Sequence, residues 1–166
     1  MPNLLQMENL YRVRERFSIT HDNVTIGIQM NWEGKREKPP MLMLPALSTV
    51  SRSDEWQSFK AIVTDKYQVI TLDWPGFGKS DKKDIHYSGT VLQKTLGKAI
   101  KVIQSKNNKK LTIIAAGHSA SVVLTLNDKY IRDIKRVVLI APTWKGPLPS
   151  MTGWSPKRLN LSLIHI

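Results

Sequence analysis

A serine flanked by small residues is the first candidate for a reactive side chain in this sequence. The segment from Gly117 to Ser121, GHSAS, follows an apolar, β-branched run from Leu111 to Ala116 and precedes an apolar stretch from Val122 to Ile131. This order predicts a strand, a sharp turn and a helix. At such a turn Ser119 is expected to have a strained backbone that exposes its hydroxyl, with the next N–H directed at the same space. The segment is thus a candidate nucleophile site.

The match to the pattern Gly-x-Ser-x-Gly is complete except at its last position. Gly117 provides the first small residue, and Ser121 stands where the second glycine is expected. Small residues are needed there because the strand and the helix nearly touch. The alternative interpretation is a small-residue turn between a parallel strand and its helix, without chemistry.

A second glycine-rich segment, DWPGFGKSD from Asp73 to Asp81, ends in a Gly-Lys-Ser triplet like that of a phosphate-binding loop. A true phosphate-binding loop has a glycine where Asp73 stands and a helix directly after the serine. Here the stretch from Lys82 to His86 predicts a loop, and a carboxylate repels phosphate. Nucleotide binding is therefore the weakest of the alternatives, and His86 is interpreted as a surface residue.

The composition bounds the class of protein. The chain has 166 residues, 41% of them hydrophobic and 23% charged, which predicts one globular domain with its own core. It has no cysteine, so disulfides, thiolate metal sites and cysteine nucleophiles are excluded, and a reducing compartment fits. No cofactor and no metal site are predicted.

The net charge of +12 is high enough to suggest an anionic partner, such as nucleic acid or an anionic surface. The basic residues occur in short groups without interleaved aromatic residues, which favours a solvated surface and argues against nucleic acid as a partner. No apolar run is long enough to span a membrane, and the first residues lack the features of a secretory signal. The expected location is intracellular and soluble, in the cytoplasm or, for a eukaryotic source, a plastid.

Strands and helices alternate along the chain, after an initial hairpin. A capping box at Ser51 and Asp54 predicts a helix that buries one side, and a longer helix is predicted between a cap at Ser88 or Thr90 and an end at Asn107. This alternation predicts a parallel α/β sheet. The predicted strands are Arg14 to Thr20, Val24 to Trp32, Met41 to Leu44, Tyr67 to Leu72, Leu111 to Ala116 and Arg136 to Pro142. The helix positions expected to be buried are Trp56, Phe59, Ile62 and Val63, then Leu92, Leu96, Ala99, Ile100 and Ile103.

Taken together, these features resemble the α/β-hydrolase fold over roughly Arg14 to Met151. The resemblance rests on the hairpin, the loop after Leu44, the turn DWPGFGKSD and the segment GHSAS. The segments LPALSTVS, LDWPGFGKSD, AAGHSA and APTWKGPLPSM also resemble an uncharacterised group of hydrolase-like proteins from cyanobacteria and chloroplast-bearing eukaryotes. The resemblance implies a mostly parallel sheet with helices on both faces, here ending after about the sixth strand.

The resemblance also implies roles for individual residues. Ser119 is the implied nucleophile, and the backbone N–H groups of Ala120 and Leu47 are the implied oxyanion donors. Gly117, His118 and Ser121 are implied to shape the turn around the nucleophile, His118 by packing or by lining a substrate pocket. Asp73 and Gly76 are implied to be structural.

Two features of the chain depart from the family pattern. Pro45-Ala46 stands where relatives usually carry His-Gly, and proline has no N–H while alanine lacks the conformational freedom of glycine. Downstream of Ser119 the chain offers only Asp128, Asp133 and His165 for the acid and the histidine that should complete a triad. The residues Leu161 to Ile166, LSLIHI, are those that the adapter of transposase-based sequencing libraries would encode.

These observations predict four segments along the chain. They are a lead segment at 1–13, an incomplete hydrolase core at 14–151, the start of a cap or linker at 152–160 and a non-native tail at 161–166. We expect a fragment of a serine hydrolase acting on an ester, amide or similar bond of a small-molecule substrate, inactive alone and self-associating through an unpaired sixth strand. The alternative is a hydrolase-like binding or scaffolding protein without catalysis.

Overall fold

The structure of the chain is a computed structural model that describes residues 12–48 and 52–142. The predicted lead segment, apart from its last two residues, lies outside the described residues. So do Ser51, the predicted cap or linker at 152–160 and the predicted tail at 161–166.

Six strands and four helices make up the described fold. The strands are β1 (Arg12–His21), β2 (Val24–Glu33), β3 (Pro40–Leu44), β4 (Gln68–Leu72), β5 (Leu111–Ala116) and β6 (Ile134–Ile140). The helices are α1 (Gln57–Val63), preceded by a 3-10 turn at Ser53–Trp56, then α2 (Gly89–Lys106), α3 (Gly117–Leu124) and α4 (Asp128–Ile131). Each predicted strand is present within about two residues of its expected bounds.

The strands form one mixed sheet in the order β1-β2-β4-β3-β5-β6. The hairpin β1–β2 is antiparallel and joins β4 in antiparallel orientation, whereas β4, β3, β5 and β6 run parallel. The predicted α/β class, with a parallel sheet after an antiparallel hairpin, is confirmed.

The hairpin has a two-residue turn in which Asp22 and Asn23 have φ angles of 47° and 62°. Two left-handed residues match the twist of the flanking strands, and short polar side chains tolerate that conformation. His21 therefore pairs with Val24 and exchanges hydrogen bonds with it. Because pairs alternate along an antiparallel ladder, Thr20 and Ser18 direct their backbone N–H and C=O groups away from β2.

Helices cover the parallel part of the sheet on both faces, because its strands alternate their side chains between two cores. One core contains Met41, Met43, Val69 and Ile114, packed with Trp56 beside α1. The other contains Leu42, Leu44, Ile70, Leu72, Ile113 and Ala115, packed with the apolar side of α2 and with α3. All residues of β3 and β4 are buried, as their unbroken apolar runs predict.

The first helical segment differs from its prediction in two respects. Its first turn is closed by Glu55, whose carboxylate accepts from the Arg52 N–H at 3.1 Å and whose N–H donates to the Arg52 carbonyl at 3.1 Å, whereas Ser51 of the predicted box lies outside the described residues. Phe59 and Ile62 are 38% and 72% exposed rather than buried. The 3-10 turn at the start places Trp56 against the sheet and rotates these two positions outward.

The segment after β5 and the last strand also differ from expectation. The helix begins at Gly117 rather than at Val122 and ends at Leu124, and α4 follows with Asn127 as its cap, accepting from the Lys129 N–H at 3.2 Å. In β6 only Leu139 is buried, although the apolar composition of this strand is that of an interior strand. The reason is position, since β6 pairs with β5 alone among the described strands.

Candidate active site

The loops that follow β3, β4 and β5 meet at one edge of the sheet. These three parallel strands are neighbours, so their carboxyl ends lie side by side. Pro45 follows β3, Trp74 comes two residues after β4, and Ser119 lies in the first turn of α3 after β5. Open α/β sheets bind their ligands at this edge.

The hydroxyl of Ser119 is held by one residue from each of the other two loops. The indole Nε1–H of Trp74 donates to Ser119 Oγ at 2.8 Å, and Ser119 Oγ donates to the carbonyl oxygen of Pro45. The same indole N–H lies 3.3 Å from the Pro45 carbonyl oxygen. Ser119 and Trp74 are both fully buried. The three residues form a closed hydrogen-bonded cluster inside the protein.

The backbone at this turn differs from the expectation of a strained, exposed serine. The positive φ falls on Gly117, at 53°, and the non-glycine residues with positive φ are Asp22, Asn23 and Ala141 among those described. Ser119 is an ordinary helical residue whose hydroxyl is directed inward. The chain makes its sharp turn two residues early because only glycine adopts that conformation without strain. A methyl group on Gly117 would lie 3.4 Å from the Ala46 side chain, so the turn also packs closely on the loop after β3.

The other predicted site residues surround this cluster. Ala120 is fully buried and is the fourth residue of α3, where the regular helical pattern pairs its N–H with the carbonyl of Ala116. Leu47 packs against the main core from the loop after β3. Ser121 is buried, and His118 is half-buried beside the turn. The oxyanion role of the Ala120 and Leu47 N–H groups stays a prediction.

The loop after β3 is fixed from the neighbouring helical turn. Glu55 accepts a hydrogen bond from the Ala46 N–H at 3.2 Å as well as from Arg52. Ser48 N–H donates to the Ala46 carbonyl at 3.0 Å, which tightens the loop beside Leu47. The Pro45-Ala46 sequence thus gives a defined loop whose buried proline carbonyl faces Ser119.

The turn from Asp73 to Asp81 is organised around a buried carboxylate. Asp73 Oδ1 accepts from the Ser53 N–H at 2.8 Å and Oδ2 from the Lys79 N–H at 3.0 Å. The Ser80 hydroxyl donates to the Asp73 carbonyl at 2.6 Å and accepts from the Gln29 N–H at 2.9 Å. An anionic group therefore already occupies the turn, and Lys79 and Ser80 serve its structure. This arrangement argues against phosphate binding there.

Asp81 ties the end of this turn to the hairpin. Its carboxylate accepts from the Gly27 N–H at 2.8 Å and pairs with the Arg16 guanidinium. The Gly27 hydrogen bond, helped by the positive charge of Arg16, holds the pKa of Asp81 below its ordinary value. The carboxylate thus stays ionised at neutral pH and locks the turn onto β2.

The chemistry of the cluster follows from its hydrogen bonds. A carbonyl oxygen accepts the Ser119 proton in a hydrogen bond but is far too weak a base to remove it. The indole N–H stabilises negative charge on Oγ, as any donor does. No histidine of the described residues is a partner of this hydroxyl. Attack by Ser119 therefore needs a base that replaces the Pro45 carbonyl as the acceptor.

Sequence reasoning missed Trp74 and the Pro45 carbonyl as partners of Ser119. They lie 45 and 74 residues from it along the chain, so no local pattern links them. Only the strand order of the assembled sheet links them, because residues directly after neighbouring parallel strands converge at one edge.

The described residues contain no cluster of three or more potential metal-ligating side chains. Across the same residues, the structure has no helix long and apolar enough to cross a bilayer.

Solved structures share this fold. A 2-hydroxy-6-oxo-6-phenylhexa-2,4-dienoate hydrolase from Rhodococcus superimposes with a TM-score of 0.65 at 16% identity, covering 83% of this chain and 49% of that protein. A haloalkane dehalogenase variant from Bradyrhizobium elkanii gives 0.65 at 16% identity, covering 78% and 40%. A bacterial membrane phospholipase A gives 0.62 at 21% identity, covering 81% and 41%. The chain spans less than half the length of each of these three.

Fold and topology define the chain as an α/β hydrolase by architecture. The family model of the serine aminopeptidases, S33, matches residues 50–163, which is more than half of the chain. The chain belongs to that family. No curated protein matches it.

Proposed function

We propose that this protein is a serine hydrolase that cleaves an ester, amide or similar bond in a small molecule, with Ser119 as its nucleophile. The observation that carries the proposal is the convergence of three strand-end loops on the Ser119 hydroxyl, at the ligand-binding edge of the sheet. Membership of a hydrolase family supports the same assignment.

Catalysis requires Ser119 to exchange its hydrogen-bond acceptor. In the described arrangement its proton is directed at the Pro45 carbonyl, so the hydroxyl must rotate toward a histidine before it can attack. We propose that this histidine and its acid lie outside the described residues. Backbone N–H groups of Ala120 and Leu47 are the proposed donors to the oxyanion, and this role requires the first turn of α3 to open and release the Ala120 N–H.

A second candidate function is supported by the same cluster. The Ser119 hydroxyl is fully buried and has both a donor and an acceptor inside the protein, an arrangement that suits a structural serine. The protein would then be a binding or scaffolding member of the hydrolase family without catalysis.

A fluorophosphonate probe distinguishes the two functions. We expect the full-length protein to be labelled, Ser119→Ala to lose the label and Ser121→Ala to keep it, because Ser121 lies two residues further along the same helix and is not in the cluster. Absence of labelling in the wild-type protein, with the same fold by circular dichroism, would support the scaffolding function instead.

The 166-residue chain alone should turn over activated esters slowly or not at all, since a serine without its base is a poor nucleophile at neutral pH. A burst of p-nitrophenol from p-nitrophenyl acetate, abolished by Ser119→Ala, would contradict this and place the base within the chain.

We further propose that the chain self-associates through β6.

A further inference from the structure

A groove runs between the outer edge of β1 and the exposed side of α2. It is lined by Ser18–Thr20, Lys94, Lys98, Lys101 and Tyr130 and has a volume of about 290 Å³. Nothing in the proposed hydrolase site uses these residues.

The strand side of this groove offers backbone groups that β2 does not pair. β1 is the outermost strand of the described sheet and pairs with β2 alone. From the hairpin register, Ser18 and Thr20 direct their N–H and C=O groups into the groove. The Thr20 carbonyl oxygen lies 3.4 Å from Lys94 Nζ, which agrees with that direction. Such an edge is a template for another extended segment.

The helix side supplies only positive charge. α2 contains four lysines and no acidic residue, and Lys94, Lys98 and Lys101 are exposed on one side of it. Among the described residues, Lys98 and Lys101 make no ion pair. Like charges three and four residues apart repel each other and destabilise a helix. The stability of the helix therefore does not account for these three lysines.

The helix and the strand run alongside each other in opposite directions. Lys94, near the start of α2, contacts Thr20 near the end of β1, while Lys106, at the end of α2, pairs with Glu15 at 2.7 Å. Along the helix axis Lys98 lies about 6 Å beyond Lys94 and Lys101 about 4.5 Å beyond Lys98, whereas alternate residues of a strand are about 6.8 Å apart. Acidic side chains at every second position of an added strand can therefore reach successive lysines, because the long, flexible lysine side chains span differences of about 1 Å and about 2 Å.

We propose that this groove binds an extended acidic peptide segment, which adds a strand to the outer edge of β1 and places alternate carboxylates on Lys94, Lys98 and Lys101. The backbone hydrogen bonds provide the attachment and the lysines select for charge.

Other occupants fit the groove less well. A second copy of β1 would bring Arg12, Arg14 and Arg16 of two chains together, and like charges oppose such pairing. A bilayer requires apolar side chains beside the lysines, whereas the neighbouring exposed positions of α2 are Thr90, Gln93 and Ser105. Phosphate oxygens only accept hydrogen bonds, so the outward carbonyls of β1 would repel a nucleic-acid backbone.

Fluorescence anisotropy with the 166-residue chain tests the proposal. The probe is a labelled nine-residue peptide that alternates glutamate with threonine or valine. We expect Lys98→Gln/Lys101→Gln to weaken binding about tenfold. The matched control, Lys66→Gln/Lys110→Gln, removes two exposed lysines elsewhere and should change binding less than about twofold, because it lowers only the overall charge.

Two further peptides test strand addition. Each is N-methylated at alternate backbone nitrogens, in opposite registers, so that one register blocks the protein-facing N–H groups and the other the solvent-facing ones. One should lose binding and the other should keep it. The proposal would be overturned if both methylated peptides bound equally. It would also be overturned if Lys98→Gln/Lys101→Gln and Lys66→Gln/Lys110→Gln weakened peptide binding to the same extent. It would also be overturned if a thymidine oligonucleotide or phosphatidylserine vesicles bound through Lys98 and Lys101 while the peptide did not.

Discussion

At the scale of single residues, the buried hydroxyl of Ser119 links three segments that are distant in sequence. Its donor Trp74 and its acceptor Pro45 come from different loops, and both are buried. A buried polar group requires partners, so each of these residues constrains the other two. The cluster holds the turn in place whether or not Ser119 acts as a nucleophile.

Ser119→Ala should destabilise the protein by only about 1 kcal/mol. The Trp74 N–H is left with the Pro45 carbonyl, which lies 3.3 Å away, so no buried donor loses all of its partners. Urea denaturation compares the variant with Ser105→Ala, an exposed helical serine whose change should stay within about 0.5 kcal/mol. A loss of several kcal/mol in Ser119→Ala would show that the indole N–H does not keep its second acceptor.

Asp81→Asn should reduce stability at neutral pH by about 1 kcal/mol, because it removes the charge that pairs with Arg16 and weakens the bond from Gly27. The pKa of Asp81 is lowered in the folded state, so its contribution is complete above the ordinary pKa of aspartate and is lost as the pH falls through the lowered value.

The difference between wild type and Asp81→Asn should therefore shrink below about pH 4. Denaturation at pH 7 and at pH 3 measures it, and Asp84→Asn, an exposed carboxylate of the same loop, is the control. A difference that is independent of pH would contradict the lowered pKa as its cause.

At the scale of elements, α2 is shaped by a close contact with α4. A methyl group on Gly97 would lie 2.6 Å from the Tyr130 hydroxyl oxygen and 2.7 Å from the ring carbon that carries it. Glycine inside a helix normally costs stability, so this residue is explained by the space that the Tyr130 ring requires.

Gly97→Ala should destabilise the protein by about 1 kcal/mol, because overpacking against Tyr130 outweighs the gain in helix propensity. In a Tyr130→Ala background the same change should instead stabilise it by up to about 1 kcal/mol. Thermal or urea denaturation of the four proteins gives the coupling energy. Equal effects in both backgrounds would show that Tyr130 does not fill this space.

Local patterns predicted those elements whose burial follows their own sequence. α2 has a regular apolar spacing between Ser88 and Asn107, and it forms between those caps. β3 and β4 have unbroken apolar runs and are buried on both faces. The exposure of Ile62 and of β6 depends on how neighbouring elements are placed, so local patterns could not predict it.

The position of the segment GHSAS in the fold was predicted, but the contacts of Ser119 were not. The segment GHSAS is at the end of β5 as expected, yet the left-handed residue is Gly117 and the serine hydroxyl is directed inward. Hydrogen bonds between Ser119, Trp74 and Pro45 depend on strand order, which only the assembled sheet defines. The role of Ser119 in catalysis stays a prediction.

At the scale of the whole molecule, β6 forms the second outer strand of the described sheet. Arg136 and Lys135 give it charge at one end, whereas Val137 and Val138 are half-buried and Ile140 is 40% exposed. An apolar, sparsely charged edge favours pairing with another chain.

We therefore expect the 166-residue chain to self-associate, with scattering that rises with concentration and with binding of a hydrophobic dye. Ile140→Lys should shift the sedimentation profile toward monomer, because a charge on the edge opposes pairing. Ile62→Lys, on a side chain that is 72% exposed on α1, is the matched control and should leave association unchanged. A stable, dye-silent monomer of the wild type at micromolar concentration would contradict this expectation.

The hydrogen bond between Trp74 and Ser119 has an optical consequence. The near-ultraviolet absorption and emission of an indole respond to the acceptor of its N–H, and the buried Trp74 is shielded from the solvent that broadens such signals. Any group attached to Ser119 Oγ replaces that acceptor with a different one. If Ser119 is the nucleophile, as proposed, Trp74 is a built-in chromophore for its acylation, and near-ultraviolet circular dichroism would follow that event without a coloured substrate.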